Sequence, residues 1–203
     1  MNVIYILDLL GTLTFAISGA LVAARKDFDF FGAFVAAFLT AVGGGTVRDA
    51  ILGSTPVFWL LDSTYLLVII IAIVLTQLFS RFILSHTMIF LILDAIGIGV
   101  FTQIGITKAY QFSIFPPLAV VLGVMTAVFG GILRDIFCNE IPLILRKEIY
   151  ATACLIGGFI SICLRYFTIN EHIVTTITIL VIVSIRLISI KFNFSLPKLT
   201  IKR

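Results

Sequence analysis

The sequence predicts an all-α integral membrane protein, with seven transmembrane helices arranged as two inverted three-helix repeats plus a seventh helix. Three observations carry that expectation. Of 203 residues, 61% are hydrophobic and 12% charged, with a mean hydropathy of +1.22, whereas soluble chains carry about 25% charged residues. Seven apolar stretches are each long enough to cross a hydrocarbon layer, which takes about 20 helical residues. The first half of the chain recurs in the second, 86 residues later, in its glycines, its charges and a proline.

The expected spans are 3–24, 30–54, 59–80, 88–109, 115–138, 149–167 and 170–190. The first lacks a positive leader region, is interrupted by Asp8, and meets its first cations only at Arg25 and Lys26. It therefore reads as a retained span rather than a signal peptide. The links are short and none is of low complexity, so 1–203 reads as a single membrane domain. Repeat one covers about 1–84, repeat two about 87–168 and the seventh helix about 170–190, with a basic tail at 191–203. With seven spans, Arg25, Lys26, Arg81, Arg146, Lys147, Lys191, Lys198, Lys202 and Arg203 all fall on one side, against Lys108 and Arg165 on the other. The excess of positive charge on the cytoplasmic side places the N-terminus outside and the C-terminus in the cytoplasm.

The repeat is read from residues that apolar composition does not produce by chance. Asp8 aligns with Asp94, Gly11 with Gly97, Phe15 with Phe101 and Gly19 with Gly105. Gly44-Gly45 aligns with Gly130-Gly131, Arg48-Asp49 with Arg134-Asp135, and Pro56 with Pro142, without a gap. An odd number of spans per copy inverts the second copy relative to the first, a plan common in transport proteins. On the orientation above, Asp8 and Arg48 sit in the outer half of the membrane and Asp94 and Arg134 in the inner half.

Two motifs, AVGGGTVRDA from Ala41 and AVFGGILRDI from Ala127, carry the candidate chemistry. Glycine costs a helix about 1 kcal/mol relative to alanine. Gly43, Gly44 and Gly45, and again Gly130 and Gly131, are therefore expected to kink or unwind the second and fifth spans and free carbonyls to face a cation. The alternative is that they let helices approach closely, as small residues do in membranes. Ionisable groups inside a span cost at least about 2.5 kcal/mol each and are functional candidates. Six stand out: Asp8, Arg48, Asp49, Asp94, Arg134 and Asp135. Neighbours on a helix point about 100° apart, so Arg48 is expected to pair with Asp8 and Arg134 with Asp94. These pairs either line a path or only hold the bundle together. Four carboxylates and two guanidiniums leave the core at −2, which favours cations over anions.

Other signals are weaker. Thr12, Thr14, Ser18, Thr40 and Thr126 either line a path or bond back to their own helices. Trp59, Tyr65 and Tyr110 suit interfacial anchors, and Phe28, Phe30 and Phe31 suit lipid or helix contacts. Cys138, Cys154 and Cys163 read as small buried hydrophobes. His86 and His172 lack ligand-spaced companions, so no metal is expected. There is no nucleophile–base set, phosphate loop or dinucleotide fingerprint, and no basic stripe for nucleic acid, so neither an enzyme nor a cofactor is expected.

With GGGTVRD in the second span, GGILRD in the fifth and two three-span repeats plus one, the chain resembles the prokaryotic TRIC (trimeric intracellular cation) channel family, also described as bacterial glycine-transporter-domain membrane proteins. The resemblance covers residues 1 to about 190. It implies a homotrimer in the bacterial or archaeal plasma membrane, one pore per protomer, and passage of potassium and also sodium. The path would be lined by spans one, two, four and five and gated near Gly43, Gly44, Gly45, Arg48, Gly130, Gly131 and Arg134. Phe129 stands where the first copy has Gly43, so the second kink is expected to be milder. A phosphoinositide site of animal relatives does not carry over, since its region here offers only Lys108. The competing reading is a secondary transporter of a small zwitterion such as glycine, binding the carboxylate at a half-helix N-terminus and the ammonium at Asp8 or Asp94. A non-conducting scaffold is a third reading.

Overall fold

The computed structural model describes residues 3–84, 87–146, 149–192 and 194; His86, Lys147, Lys198, Lys202 and Arg203 lie outside them. Among the described residues the chain forms α1 (Val3–Arg25), α2 (Phe30–Leu52), α3 (Phe58–Leu61), α4 (Thr64–Leu84), α5 (Thr87–Gln111), α6 (Pro116–Phe137), α7 (Leu143–Arg146), α8 (Ala151–Tyr166) and α9 (Glu171–Phe192). Five of these, α1, α2, α5, α6 and α9, are long and apolar enough to cross a membrane, while Thr64–Phe79 and Ala151–Tyr166 are shorter apolar helices.

Local chemistry explains where the helices begin and end. The Asp29 carboxylate caps α2 by accepting from the Gly32 N–H at 2.7 Å, satisfying one of the free donors at a helix start. Two prolines open α6, where the missing N–H has no helical partner to lose. Four of the long helices close with a left-handed residue, as helix C-termini commonly do. Asp27 (φ 54°) follows α1 and Ser113 (φ 55°) follows α5; Gly53 (φ 66°) follows α2 and Asn139 (φ 54°) follows α6. Each pair is 86 residues apart. The closing bonds match too: Ser54 N–H to the Asp49 carbonyl at 2.8 Å, and Glu140 N–H to the Asp135 carbonyl at 2.7 Å.

The expected third span, 59–80, is broken near its start. Asp62 separates α3 from α4, with its carboxylate accepting from the Thr64 N–H at 2.9 Å and from the Tyr5 hydroxyl at 2.6 Å. Hydrogen bonds from Thr64 and then Tyr5 hold this carboxyl below its ordinary range. A second short helix, α7, occupies the link expected between spans five and six. Both short helices follow a proline, and each receives an aspartate from the preceding long helix. Asp49 Oδ2 accepts from the Phe58 N–H at 3.1 Å and Asp135 Oδ2 from the Leu143 N–H at 2.9 Å. Phe58 and Leu143 are 85 apart, so the match is not gap-free: it loses one residue after Pro56 and Pro142.

The centre of the bundle is the crossing of α2 and α6, flanked by α1 and α5. Gly44 lies on the Thr126 carbonyl oxygen, and Gly130 lies on the Thr40 carbonyl oxygen; a methyl at either would overlap backbone. One layer out, Gly97 accommodates the Phe15 ring and Gly11 faces Phe101, with the two ring centroids 5.0 Å apart. Of the two readings of the glycine clusters, close packing is the one realised. The expected unwinding does not occur: α2 and α6 run as unbroken α-helix through Gly43–Gly45 and Gly130–Gly131. Neighbouring atoms fill the space where side chains are missing, backbone at Gly44 and Gly130 and the Leu133, Phe58 and Tyr150 side chains at Gly43, Gly45 and Gly131, so the helix has no reason to open. Thr40 and Thr126 likewise bond back to Ala36 and Leu122 carbonyls at 2.6 and 2.7 Å.

Phe30, Phe31, Leu78 and Leu118 point outward and are exposed, as a surface solvated by acyl chains or by a partner subunit permits. Tyr65, in contrast, is buried rather than interfacial, and Cys163 is exposed rather than buried.

Overpacking a close-packed core costs about 1–3 kcal/mol or more. Gly44→Ala and Gly130→Ala are therefore expected to lower the Tm of the detergent-solubilised protein by similar amounts. Gly131→Ala, whose methyl would meet the Tyr150 hydroxyl oxygen at 3.2 Å, is expected to shift it less.

Candidate functional site

One turn beyond Gly130 on the same helix face, Arg134 is fully buried. Its Nε donates to Asp135 Oδ1 at 2.7 Å, and its Nη1 donates to Asp94 Oδ1 at 3.1 Å and to Ser18 Oγ at 2.6 Å. The guanidinium also lies over the Phe90 ring, 5.0 Å from the centroid. Asp94 comes from α5 and is fully buried, Ser18 from α1. A cation held against two carboxylates and a hydroxyl is the arrangement that makes burial of a charge tolerable. The expected Arg134–Asp94 pair forms.

The expected Arg48–Asp8 pair does not. Arg48 curls onto its own neighbour: Nε and Nη2 reach Asp49 Oδ1 at 2.8 and 2.7 Å, and the guanidinium lies over the Phe58 ring at 5.4 Å. Asp8 is half-buried and accepts from the Tyr65 hydroxyl at 2.7 Å. The 100° between neighbours on a helix describes Cα directions and does not fix where a long side chain ends. A long, flexible stem carrying a five-donor fork reaches across that angle, and Arg134 does the same to Asp135. Each Asp of an Arg-Asp pair thus has two tasks, binding the guanidinium with Oδ1 and the start of a short helix with Oδ2.

The structure adds residues to those singled out in the sequence. Arg186 on α9 is buried, donates from Nη1 to the Ile149 carbonyl at 2.8 Å, and lies over the Tyr150 ring at 4.8 Å. It is an ionisable residue inside an apolar span, so the signal that marked the other six was present there as well. Including it brings the formal charge of the intramembrane set to −1 rather than −2. Phe90 and Tyr150 carried no comparable signal, being aromatics in an aromatic-rich chain. Gln103 is buried and bonds Ser161 at 3.1 Å and Thr175 at 3.3 Å, tying α5 to α8 and α9. Thr14 bonds the Gly11 carbonyl at 2.9 Å. Of the weaker polar candidates, only Ser18 contacts the charged cluster.

Bilayer-length apolar helices crossing around buried arginine–aspartate groups define a helical membrane protein with a charged core. Residues 5–81 and 91–166 match a family model described as glycine transporter. The chain is 43% identical over 196 residues to the UPF0126 inner membrane protein YadS of Escherichia coli K12, covering 96% of this chain and 95% of that one. It is 42% identical over 199 residues to a UPF0126 membrane protein of Vibrio cholerae, covering 97% and 82%. Among solved structures, the TRIC trimeric intracellular cation channel orthologue from Rhodobacter sphaeroides superposes with a TM-score of 0.91 at 37% identity, over 96% of this chain and all of that one. Another TRIC cation channel matches over the full length of both chains, with a TM-score of 0.89 at 35% identity. The chain belongs to the TRIC family.

Removing one member of a buried ion pair costs about 3–5 kcal/mol, because the other charge is stranded. Asp94→Ala is thus expected to destabilise the protein strongly. Asp8→Ala, at a half-buried site bonded to a neutral hydroxyl, is expected to cost about 1 kcal/mol. Thermal denaturation of the two variants in the same detergent checks the order.

Proposed function

We propose that this protein is a passive channel for monovalent cations, potassium and also sodium. One path per protomer would run between two inverted three-helix repeats, residues about 1–84 and 87–168, with the helix at 170–190 outside the repeat and 191–203 a basic cytoplasmic tail. The observation that carries the reading is the charged core at the α2–α6 crossing, in a chain whose whole length superposes on TRIC cation channels. Asp8, Arg48, Asp49, Asp94, Arg134 and Asp135 line the path, and the net acidic core selects for cations. Gly44 and Gly130, with Gly43 against Leu133, keep α2 and α6 close, and Gly45 and Gly131 leave room for Phe58 and Tyr150; small shifts at these five glycines open or close the path. The reciprocal contacts of Gly44 with Thr126 and Gly130 with Thr40 support the two-fold relation. The assembly is a homotrimer in the bacterial inner membrane, in contact with lipid, with its N-terminus outside.

The zwitterion-transporter reading is not favoured. It needs a half-helix N-terminus in mid-membrane to receive a carboxylate, and α2 and α6 are unbroken at their glycines.

Purified protein in a planar bilayer under asymmetric potassium chloride is expected to give unitary currents that reverse near the potassium equilibrium potential. Arg48→Gln or Arg134→Gln should change conductance or gating in the same assay. Saturable glycine uptake into vesicles without unitary current would overturn the channel reading.

A further inference from the structure

Among the described residues, Phe90 is the one ring that touches both an exposed and a fully buried guanidinium. Arg25, at the solvent-facing end of α1, lies 5.5 Å from its centroid, and Arg134 lies 5.0 Å from it. On the Arg25 side the protein opens into a cavity of about 200 Å³ whose lining includes Arg25, Lys26, Phe90, Asp135 and Glu140. Lys26 and Glu140 form an ion pair there at 2.6 Å. The ring belongs to an apolar cluster with Val22, Ala23, Ala36 and Cys138, and Leu143 packs against that cluster. Beyond it lies the Arg134–Asp94 pair. Arg134 Nη2 and Asp94 Oδ2 there are buried and have no hydrogen-bond partner among the described residues.

Unpartnered buried donors and acceptors are unfavourable when dry and are satisfied as soon as water reaches them. The ring, with Asp135 beside it in the cavity lining, therefore stands between a charged vestibule and the Arg134–Asp94 pair, which gains by wetting. The other end is built differently. The residue 86 before Phe90 is Ile4, and there Asp8 is only half-buried and already bonded to Tyr65.

We propose that Phe90 is the closed gate at the Arg25–Lys26 end of the path, an apolar plug that keeps the Arg134–Asp94 pair dry and blocks ions by excluding water. Apolar constrictions gate pores in this way. Its two guanidinium contacts hold the ring in place, and displacing it joins the vestibule to the buried pair. The assignment rests on the reading of the charged core as an ion path.

The test uses the full-length protein in liposomes, with Cys163→Ser removing the exposed thiol and Ser18→Cys placing one behind the ring. Potassium efflux and Ser18→Cys-dependent labelling by a cationic methanethiosulfonate are read together. Phe90→Ala is expected to raise both several-fold over Phe90. Phe90→Tyr keeps the ring and adds a hydroxyl to the apolar cluster, so it is expected to raise both without leaving a cavity. Unchanged efflux and labelling in whichever variant elutes as the folded protein overturns the gate. If the Phe90 protein and both variants pass no cation, the ion-path reading fails, while the labelling still decides whether Phe90 seals the buried pair.

Discussion

Where α2 crosses α6, two helix backbones touch with no side chain between them. Gly44 rests on the Thr126 carbonyl and Gly130 on the Thr40 carbonyl, and most of the bundle follows from that contact. Residues four apart share a helix face, so Arg48 and Arg134, one turn beyond these glycines, emerge beside the crossing rather than toward lipid. Phe15 and Phe101 pack between α1 and α5 against Gly97 and Gly11. Any side chain at the crossing would push α2 and α6 apart and shift Arg134 relative to Asp94 on α5 and Ser18 on α1, while Arg48 and Asp49 would move together on α2.

That closeness lets a membrane protein bury charge. An ionised group in hydrocarbon is tolerated only with partners at hydrogen-bonding distance, and these come from several helices at once. Arg134 draws on α1, α5 and the end of its own helix, and Asp135 then reaches on to α7. Among the described residues Arg48 draws on Asp49 and the Phe58 ring, and Asp49 reaches α3 in the same way. The two ends of the core thus share a backbone plan and differ in their side chains. One end is buried, with two acids, a hydroxyl and an aromatic ring around Arg134. The other is half-open, with its Asp8 bonded to a tyrosine.

Much of this was legible in the sequence, and the misses have specific causes. Aligned Asp, Arg, Gly and Pro residues at a fixed offset disclosed the repeat, because apolar drift does not reproduce rare residue types. The single-residue gap after Pro56 and Pro142 was hidden, because the short helices that shift the register contain apolar residues interchangeable in composition. The glycine clusters were visible as an exception to helix propensity, yet propensity describes an isolated helix. It does not include the neighbouring atoms that occupy the vacant space. Arg186 carries a signal of the same kind as the rest, but it lies on α9 with no counterpart at the 86-residue offset to mark it out.

The sequence by itself determined the solvent, the apolar helices, the doubling of the chain and the identity of nearly every buried charge. These are properties of local composition and spacing, which water and lipid read residue by residue. Only the tertiary structure decided which acid each arginine holds, that α2 and α6 stay helical through their glycines, and that Phe90 stands between vestibule and buried pair. Those outcomes depend on distances of a few ångströms between helices far apart in the chain. Long side chains there have several partners within reach, and packing selects among them.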